Sequence, residues 1–255
     1  MTFLFTVCPR CCFILERRAD NKPGVPTLLA QPEKGGNWSQ VKPYRFSAYY
    51  VSIENAEVAI PQNYKKLVGN TTATAQSQLD SLAGLQWFCE GEPLSGKDIA
   101  AFPNTTCSTH LQTLLLFHDC VNEKTLESAY SGVRNWNSTF KPKNRCPAGM
   151  KRMPQLRLSI RYDLRKTLPN GWSGPPPLKL ASGSSFSMHG DFINGWLPEA
   201  AQNMLLANDK REFAGVDGPL GTYNAGSACG ASNAHDSDPL HGTSDYLTSV
   251  RMMGS

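Results

Sequence analysis

The segment Pro154-Gln155-Leu156-Arg157-Leu158-Ser159-Ile160-Arg161-Tyr162-Asp163 carries the most regular pattern in the sequence. Apolar and polar residues alternate along it, and a period of two residues is typical of a β-strand with one buried face. The residues expected to face the core are Leu156, Leu158, Ile160 and Tyr162. The residues expected to project together from the other face are Arg157, Arg161 and Asp163. This second face is either a solvated, charge-paired surface or a wall that meets an anionic or hydroxyl-rich ligand.

Three earlier segments predict further strands. Residues 110–118 form a near-continuous apolar run, as expected of a central strand that is covered on both faces. Residues 44–52 are aromatic and β-branched and predict the first strand, with residues 57–60 as a possible hairpin partner. Residues 85–89 predict a short buried strand.

The carboxyl-terminal part of the ordered chain combines a strand with the one convincing helix. Residues 184–189 predict a strand with Phe186 and Met188 on its buried face and His189 on the opposite face. Residues 198–207 predict a helix, because a proline stands in the first turn and small or apolar residues follow at helical spacing.

These elements predict a mainly β fold, an antiparallel β-sandwich of jelly-roll-like form with one short helix and long loops. The 21 glycines and 18 prolines agree with many turns. Residues 1–36 are expected to be a poorly structured or aberrant amino terminus, with a linker or exposed loop over residues 17–36. Residues 37–208 are expected to form a single β-rich domain, and residues 65–78 a polar surface segment. Residues 209–255 have low complexity and are expected to be disordered.

The charge distribution bears on the partners. The formal net charge is +4, and lysines and arginines are scattered along the chain, so no basic stripe for nucleic acid is present. Beyond the amino terminus no stretch approaches the roughly 20 apolar residues of a membrane span. The first residues are apolar but lack a preceding charge, and they predict a secretory signal that is weak or lost.

Cysteine usage predicts an oxidising compartment. Five of the eight cysteines are widely spaced beside apolar runs, namely Cys89, Cys107, Cys120, Cys146 and Cys229. This spacing is typical of disulfides in a secreted protein. If the two strongest strands pair antiparallel, Cys120 comes close to Cys146, and Cys89 is then expected to pair with Cys107.

Two further motifs bear on metal binding and on glycosylation. Cys8 and Cys11 form a Cys-x-x-Cys, but no second pair follows at zinc-finger spacing, so neither a metal nor another cofactor is expected. Glycosylation sequons stand at Asn37, Asn70, Asn104 and Asn137. Together with the cysteines they favour an extracellular, secreted glycoprotein.

Residues 186–196 concentrate the most chemistry in the chain, Phe-Ser-Met-His-Gly-Asp-Phe-Ile-Asn-Gly-Trp. On a strand His189 and Asp191 share a face, so they could form a general acid/base pair in a polysaccharide-cleaving cleft. Asn194 or an arginine would then hold the sugar, and Trp196 would stack on it. A second hypothesis is a metal triad with a distant histidine, and a third is a purely structural role.

Three blocks carry a resemblance to a known family. They are Phe102-Pro103-Asn104-Thr105-Thr106-Cys107 running to Phe117-His118-Asp119-Cys120, then Cys146-Pro147 through Met153-Pro154-Gln155-Leu156 to Tyr162-Asp163, and finally Met188-His189-Gly190-Asp191-Phe192-Ile193-Asn194-Gly195-Trp196. Over roughly residues 37–206 the chain resembles the fungal secreted proteins grouped as domain of unknown function 1996. The amino-terminal part of that domain is expected to be missing. Val121 and Ser159 stand where the family usually has a tryptophan and an acidic residue.

The resemblance implies an extracellular, disulfide-bonded, largely β protein in a carbohydrate or cell-wall setting. The catalytic candidates are His189 and Asp191. The binding candidates are Asn194, Trp196, Gln155, Arg157, Arg161 and Asp163. The leading hypothesis is a protein that acts on or binds cell-wall polysaccharide, and the alternatives are a non-catalytic cell-wall glycoprotein and an inactive, truncated family member.

Overall fold

The computed structural model describes residues 13–14, 25–92, 99–132, 146–194, 196 and 198–206, and of residues 13–14 it gives only the strand backbone. The strands are β1 (Phe13–Ile14), β2 (Leu28–Ala30), β3 (Ser39–Gln40), β4 (Pro43–Val51), β5 (Lys65–Gly69), β6 (Gln86–Cys89), β7 (Leu111–Leu116), β8 (Cys120–Val121), β9 (Ser128–Ala129), β10 (Lys151–Arg152), β11 (Gln155–Tyr162), β12 (Leu178–Leu180) and β13 (His189–Asn194). The helix α1 spans Pro198–Leu206. The predicted disordered tail lies outside the described residues, as do Cys8, Cys11, Cys12 and Cys229.

A four-stranded antiparallel sheet in the order β4-β11-β7-β6 forms the centre of the fold. The alternating segment is β11, and all four of its predicted core residues are buried. The apolar run is β7, every residue of which is buried. Both predictions are confirmed, because alternation and continuous apolarity report directly on whether one or both strand faces are covered.

A second sheet, in the order β1-β13-β5, packs on the inner face of the large sheet. A Cβ on Gly190 would lie 3.1 Å from Leu115 Cδ2 and 3.2 Å from Leu158 Cδ1, so the glycine lets β13 approach closely. Phe192, two residues on, packs against Phe117 with ring centroids 5.9 Å apart. The two layers confirm a mainly β, antiparallel fold, but the strand order does not establish a jelly-roll topology.

Two smaller sheets complete the fold, β10-β8-β9 and β12-β2-β3. Strand β2 lies inside the predicted linker over residues 17–36, and that prediction is wrong for it, since Leu28 and Ala30 are fully buried. The polar segment over residues 65–78 was also predicted as surface, but its first residues form β5 and Val68 belongs to the core.

Two strand predictions are wrong. Residues 57–60 are not a hairpin partner of β4, because the amides of Glu57 and Val58 both donate to the carbonyl of Arg152. Residues 184–189 are not a strand, since Ser185–Ser187 form a 3-10 turn and β13 begins only at His189. Glu57 pairs with Arg152, 95 positions further along the chain, and β13 pairs with β5, so local patterns do not report either partner.

The disulfides and the helix agree with the sequence. Cys89 is bonded to Cys107, and Cys120 is bonded to Cys146, as predicted. The helix α1 is also confirmed, and its buried residues Ala200 and Met204 pack against Ile53, with Tyr50 and Trp196 at the edge.

Candidate functional site

The predicted catalytic pair lies on β13, on the face that points away from the large sheet. His189 is only 5% exposed, and its Nδ1–H donates to the carbonyl of Ser187 at 2.8 Å. Across the sheet His189 stands opposite Gly69, and Asp191 stands opposite Leu67. The two side chains share a face, as expected for residues two apart on a strand, but the imidazole is enclosed rather than open to a ligand.

Asn194 and Trp196 hold the chain between β13 and α1. The Asn194 amide nitrogen donates to the carbonyls of Ile60 and Pro61 at 3.0 and 2.8 Å, and its Oδ1 accepts the Trp196 amide at 3.0 Å. The Trp196 ring packs edge-on against Tyr50. These contacts indicate a structural role for both side chains, in which they fix the segment that joins β13 to α1.

The candidates on β11 face elsewhere. The Gln155 amide donates to the carbonyl of Phe117 at 2.9 Å and is buried. Arg157 lies over the Tyr49 ring at 4.7 Å, and Arg161 pairs with Glu90 at 2.8 Å. Asp163 follows the strand, and hydrogen bonds from the Arg165 guanidinium lower the pKa of its carboxyl group to about 2.

The two sheets therefore place the candidate residues of β11 and those of β13 on opposite outer faces of the fold. The residues of β11 that alternate with Leu158 face away from β13, because Leu158 itself contacts Gly190. Arg157 and Arg161 thus lie on the outer face of the large sheet, while His189 lies on the outer face of the small one. An arginine of β11 cannot hold a sugar for His189 in this arrangement.

A cleft of about 430 Å³ opens at β5, which is an edge strand within the described part of the chain. Titratable groups that lie far apart in the sequence line this cleft. One wall is the edge strand itself and the turn after it. The other walls come from the segment before β6 and from the residues that follow β7 and β9. Its lining residues are Lys66, Leu67, Val68, Gly69, Asn70, Thr71, Gln78, Asp80, Ala83, His118 and Tyr130.

His118 is held in place by its neighbours in the chain. Phe117 is in the core, and Cys120 is tied by its disulfide to Cys146. Asp119 is 1% exposed, accepts the amide and hydroxyl of Ser131 at 2.7 Å each, and lies 3.0 Å from the Arg152 guanidinium. Among the described residues the Arg152 guanidinium has no hydrogen-bond partner of good geometry, so its contact with Asp119 is described as an ion pair. Anchors on both sides thus fix the backbone that presents His118.

The His118 ring has defined partners on one side. Its Nδ1 lies 2.9 Å from the Ser128 hydroxyl, and its ring packs edge-on against Tyr130 at 4.4 Å. Burial and the nearby Lys66 ammonium lower the pKa of His118 to about 4, although Asp80 acts in the opposite direction. The imidazole is therefore neutral at ordinary pH, and Nε2 is the ring nitrogen left for a ligand in the cleft.

Burial also shifts the pKa of two other groups in the cleft. Partial burial lowers the pKa of the Lys66 ammonium. Burial raises the pKa of the Tyr130 phenol, whose hydroxyl donates to the carbonyl of Leu116 at 2.8 Å. Asp80 accepts the Leu82 amide at 2.9 Å through Oδ1. Shifted groups that share one cleft are a recognised mark of functional sites.

Sequence reasoning missed this cleft. His118 is the last residue of the apolar run over residues 110–118, and Lys66 lies in the segment over residues 65–78 that was predicted as polar surface. One signal was available, because His118 and Asp119 stand between a core phenylalanine and a cysteine within a family block. Because the residues on both sides of His118 and Asp119 are buried, the fold determines where these two polar side chains point.

The comparison with protein families confirms the family resemblance. A family model described as Domain of unknown function (DUF1996) matches residues 24–196, and the chain belongs to this family. The match begins earlier than Asn37, where the sequence resemblance was predicted to start. No curated protein and no solved structure matches the chain.

Two further observations concern metals and membranes. Within the described ranges, no three His, Cys, Asp or Glu side chains gather as a metal site requires. In the same part of the chain, no helix has both the length and the apolar character needed to cross a membrane. The two disulfides are consistent with an extracellular protein.

Proposed function

We propose that the protein acts on a uronate-bearing polysaccharide of the cell wall, and that the cleft beside β5 is its substrate site. The observation that carries this proposal is the meeting of His118, Lys66 and Asp80 in one opening on a rigid β framework. An amine of lowered pKa supplies a group for proton transfer, and a neutral imidazole can donate a hydrogen bond to a sugar carboxylate.

The composition of the lining favours elimination over hydrolysis. Glycoside hydrolysis generally uses two carboxyl groups that flank the scissile bond. Among the described residues that line the cleft, Asp80 is the one carboxylate. In β-elimination a base removes the C5 proton of the uronate, the electron pair forms the C4–C5 double bond, and the C4–O bond breaks. The leaving oxygen then takes a proton from water.

An extracellular setting for this chemistry rests on three features. The two disulfides need an oxidising compartment. The sequons at Asn37 and Asn104 lie on exposed positions, whereas the proposal requires that Asn70, which lines the cleft, carries no glycan. The resemblance of the family blocks to secreted fungal proteins supports a cell-wall substrate by analogy.

A panel of polymers tests the proposal. The protein is treated with an endoglycosidase, because Asn70 lines the cleft and a glycan there would cover it. It is then incubated with polygalacturonate, alginate, glucuronan, chitin and a neutral glucan, with release of reducing ends and ultraviolet absorbance of unsaturated uronate as readouts. Unsaturated product from one of the three acidic polymers, lost in Lys66→Met, supports the proposal. Reducing ends without unsaturation, or product from neutral polymers alone, contradicts it.

A non-catalytic cell-wall binding protein is the second candidate, and an exposed aromatic ring favours it. Tyr44 is 63% exposed, and its ring is stacked on His110 at 4.3 Å. A rigid, exposed aromatic face is the usual partner of a sugar ring in carbohydrate-binding proteins. Retention of the protein on insoluble polymer, lost in Tyr44→Ala and without any product, would establish this candidate.

A catalytic role for His189 and Asp191 remains a separate proposal. The pair stands directly behind the cleft, since His189 pairs across the sheet with Gly69, which lines it. A catalytic role for His189 requires its imidazole to become accessible. His189→Ala assayed on the same polymers tests that role, and unchanged activity would end it.

A further inference from the structure

Tyr64 has one possible direction for its hydroxyl hydrogen. The side chain is 1% exposed, and burial raises the pKa of its phenol to about 12, so the hydroxyl stays protonated. Its oxygen lies 3.0 Å from Ser128 Oγ, and this is the hydrogen bond that the phenol makes within the described residues. A buried hydroxyl that fails to donate is destabilising, because it gives up its hydrogen bonds to water without replacement. Tyr64 therefore donates to Ser128.

The direction at Tyr64 fixes the direction at Ser128. A serine hydroxyl has one hydrogen and two acceptor lone pairs. Because Ser128 Oγ already accepts from Tyr64, its own hydrogen is free to go to the other atom within reach, which is His118 Nδ1 at 2.9 Å. The Ser128 backbone also lies near the ring and acts to raise the pKa of His118, while the atom of Ser128 at 2.9 Å from Nδ1 is the hydroxyl oxygen.

We propose that Tyr64 and Ser128 are positioning residues that hold His118 as the tautomer with hydrogen on Nε2, so that the ring offers an N–H to an oxygen of the ligand. This inference rests on the proposed function for its meaning, but the tautomer itself does not depend on a substrate. The edge-on contact with Tyr130 fixes the ring plane and so the direction of that N–H.

The tautomer divides the roles in the cleft. An imidazole that carries hydrogen on Nε2 and accepts a hydrogen bond at Nδ1 has no lone pair for the substrate. His118 then donates to the uronate carboxylate, and it stabilises the charge that gathers there as the C5 proton leaves. Lys66 is left as the base: its neutral amine takes the C5 proton and becomes an ammonium ion.

Nitrogen-15 spectroscopy of the ring tests the assignment on the full chain. Two-bond proton–nitrogen correlations distinguish the two neutral tautomers, and His118→Gln identifies the signals of His118 by their loss. Spectra are recorded above pH 6.5, where the ring is neutral. Ser128→Ala removes the hydroxyl that donates to His118, and Ser128→Thr keeps it. Tyr64→Phe removes the hydroxyl that donates to Ser128.

The proposal predicts hydrogen on Nε2 in the wild type and in Ser128→Thr. It predicts a shift toward hydrogen on Nδ1 in Ser128→Ala, where the backbone at this position becomes the remaining partner. Tyr64→Phe should produce a smaller shift in the same direction. Hydrogen on Nδ1 in the wild type, or the same tautomer in wild type and Ser128→Ala, overturns the proposal. Because no substrate is needed, an inactive protein with the expected tautomer would refute the proposed function alone.

Discussion

His110 and His118 stand at the two ends of strand β7, and their Nδ1 atoms meet partners of different kinds. His110 Nδ1 lies 2.6 Å from a carboxylate oxygen of Glu90, whereas His118 Nδ1 lies 2.9 Å from the Ser128 hydroxyl. The first histidine belongs to an ion-pair cluster that includes Arg161. The second belongs to a network of hydroxyl groups beside a cleft, so the two form a matched pair for experiments.

The first prediction concerns the titration of His118. Its pKa is lowered from 6.5 to about 4 by burial and by the Lys66 ammonium. Nuclear magnetic resonance titration should find a midpoint near 4. Lys66→Met should raise the midpoint, because a positive charge is removed, and Asp80→Asn should lower it. A wild-type midpoint near 6.5 would contradict the described burial of the ring.

The same shift has a consequence for stability. Between pH 6.5 and about 4 the unfolded chain binds a proton on His118 more readily than the folded chain does. This histidine therefore makes the free energy of unfolding fall as the pH falls through that window. The loss should be smaller in His118→Gln than in the wild type when urea unfolding is followed at several pH values. Identical pH dependence in both proteins would contradict the prediction.

The next prediction concerns the close approach of β5 and β13. Gly69 has a φ of +87°, and a Cβ there would lie 2.3 Å from the Met188 carbonyl oxygen. Gly91 has a φ of +86° with nothing within 4 Å of that position. Both Gly→Ala variants meet the same backbone strain, so their difference isolates the clash. Gly69→Ala should be less stable than Gly91→Ala by about 1–3 kcal/mol in urea unfolding. Equal losses would mean that the strands are not so close.

The buried pair behind His118 gives another prediction. Arg152 and Asp119 are each 1% exposed and lie 3.0 Å apart. Arg152→Met leaves the Asp119 carboxylate buried without its cation and should lower the free energy of unfolding by about 3–5 kcal/mol. Asp119→Asn combined with Arg152→Met should lose less than the two single losses added together. Stability of Arg152→Met within experimental error of the wild type would contradict this ion pair.

The disulfides should contribute similarly to stability. Cys89–Cys107 closes a separation of 18 residues and Cys120–Cys146 one of 26. Replacing either pair with alanine should cost about 2–5 kcal/mol, and the loop lengths alone predict a difference of about 0.3 kcal/mol. Unfolding of the two double variants measures this. Titratable thiols at these four positions in the native protein would contradict both pairings.

Much of the large sheet could be predicted from the sequence, because its signals are local. The alternation of β11 and the apolar run of β7 report on burial within a few residues, and the antiparallel pairing of the two strands placed Cys120 beside Cys146. Strand β5 was missed because Lys65 and Lys66 look like surface residues, and the strand is defined only by its distant partner β13.

The candidate site was harder to predict for the same reason. His189 looked like the centre because its neighbours in the sequence carry polar groups. The fold uses that block for packing, with Gly190 against Leu115. The cleft instead joins His118 to Lys66 and Asp80, which come from other elements, and no local pattern links those three positions.

The most direct test of the cleft as the functional site compares the two histidines of β7. The polymer that gives product with wild-type protein is offered to His118→Ala and to His110→Ala, and the rate of unsaturated product is measured for variants with native circular dichroism. The account predicts a loss of about 10²–10³-fold in His118→Ala and a rate within a few-fold of wild type in His110→Ala. Full activity in His118→Ala would contradict it.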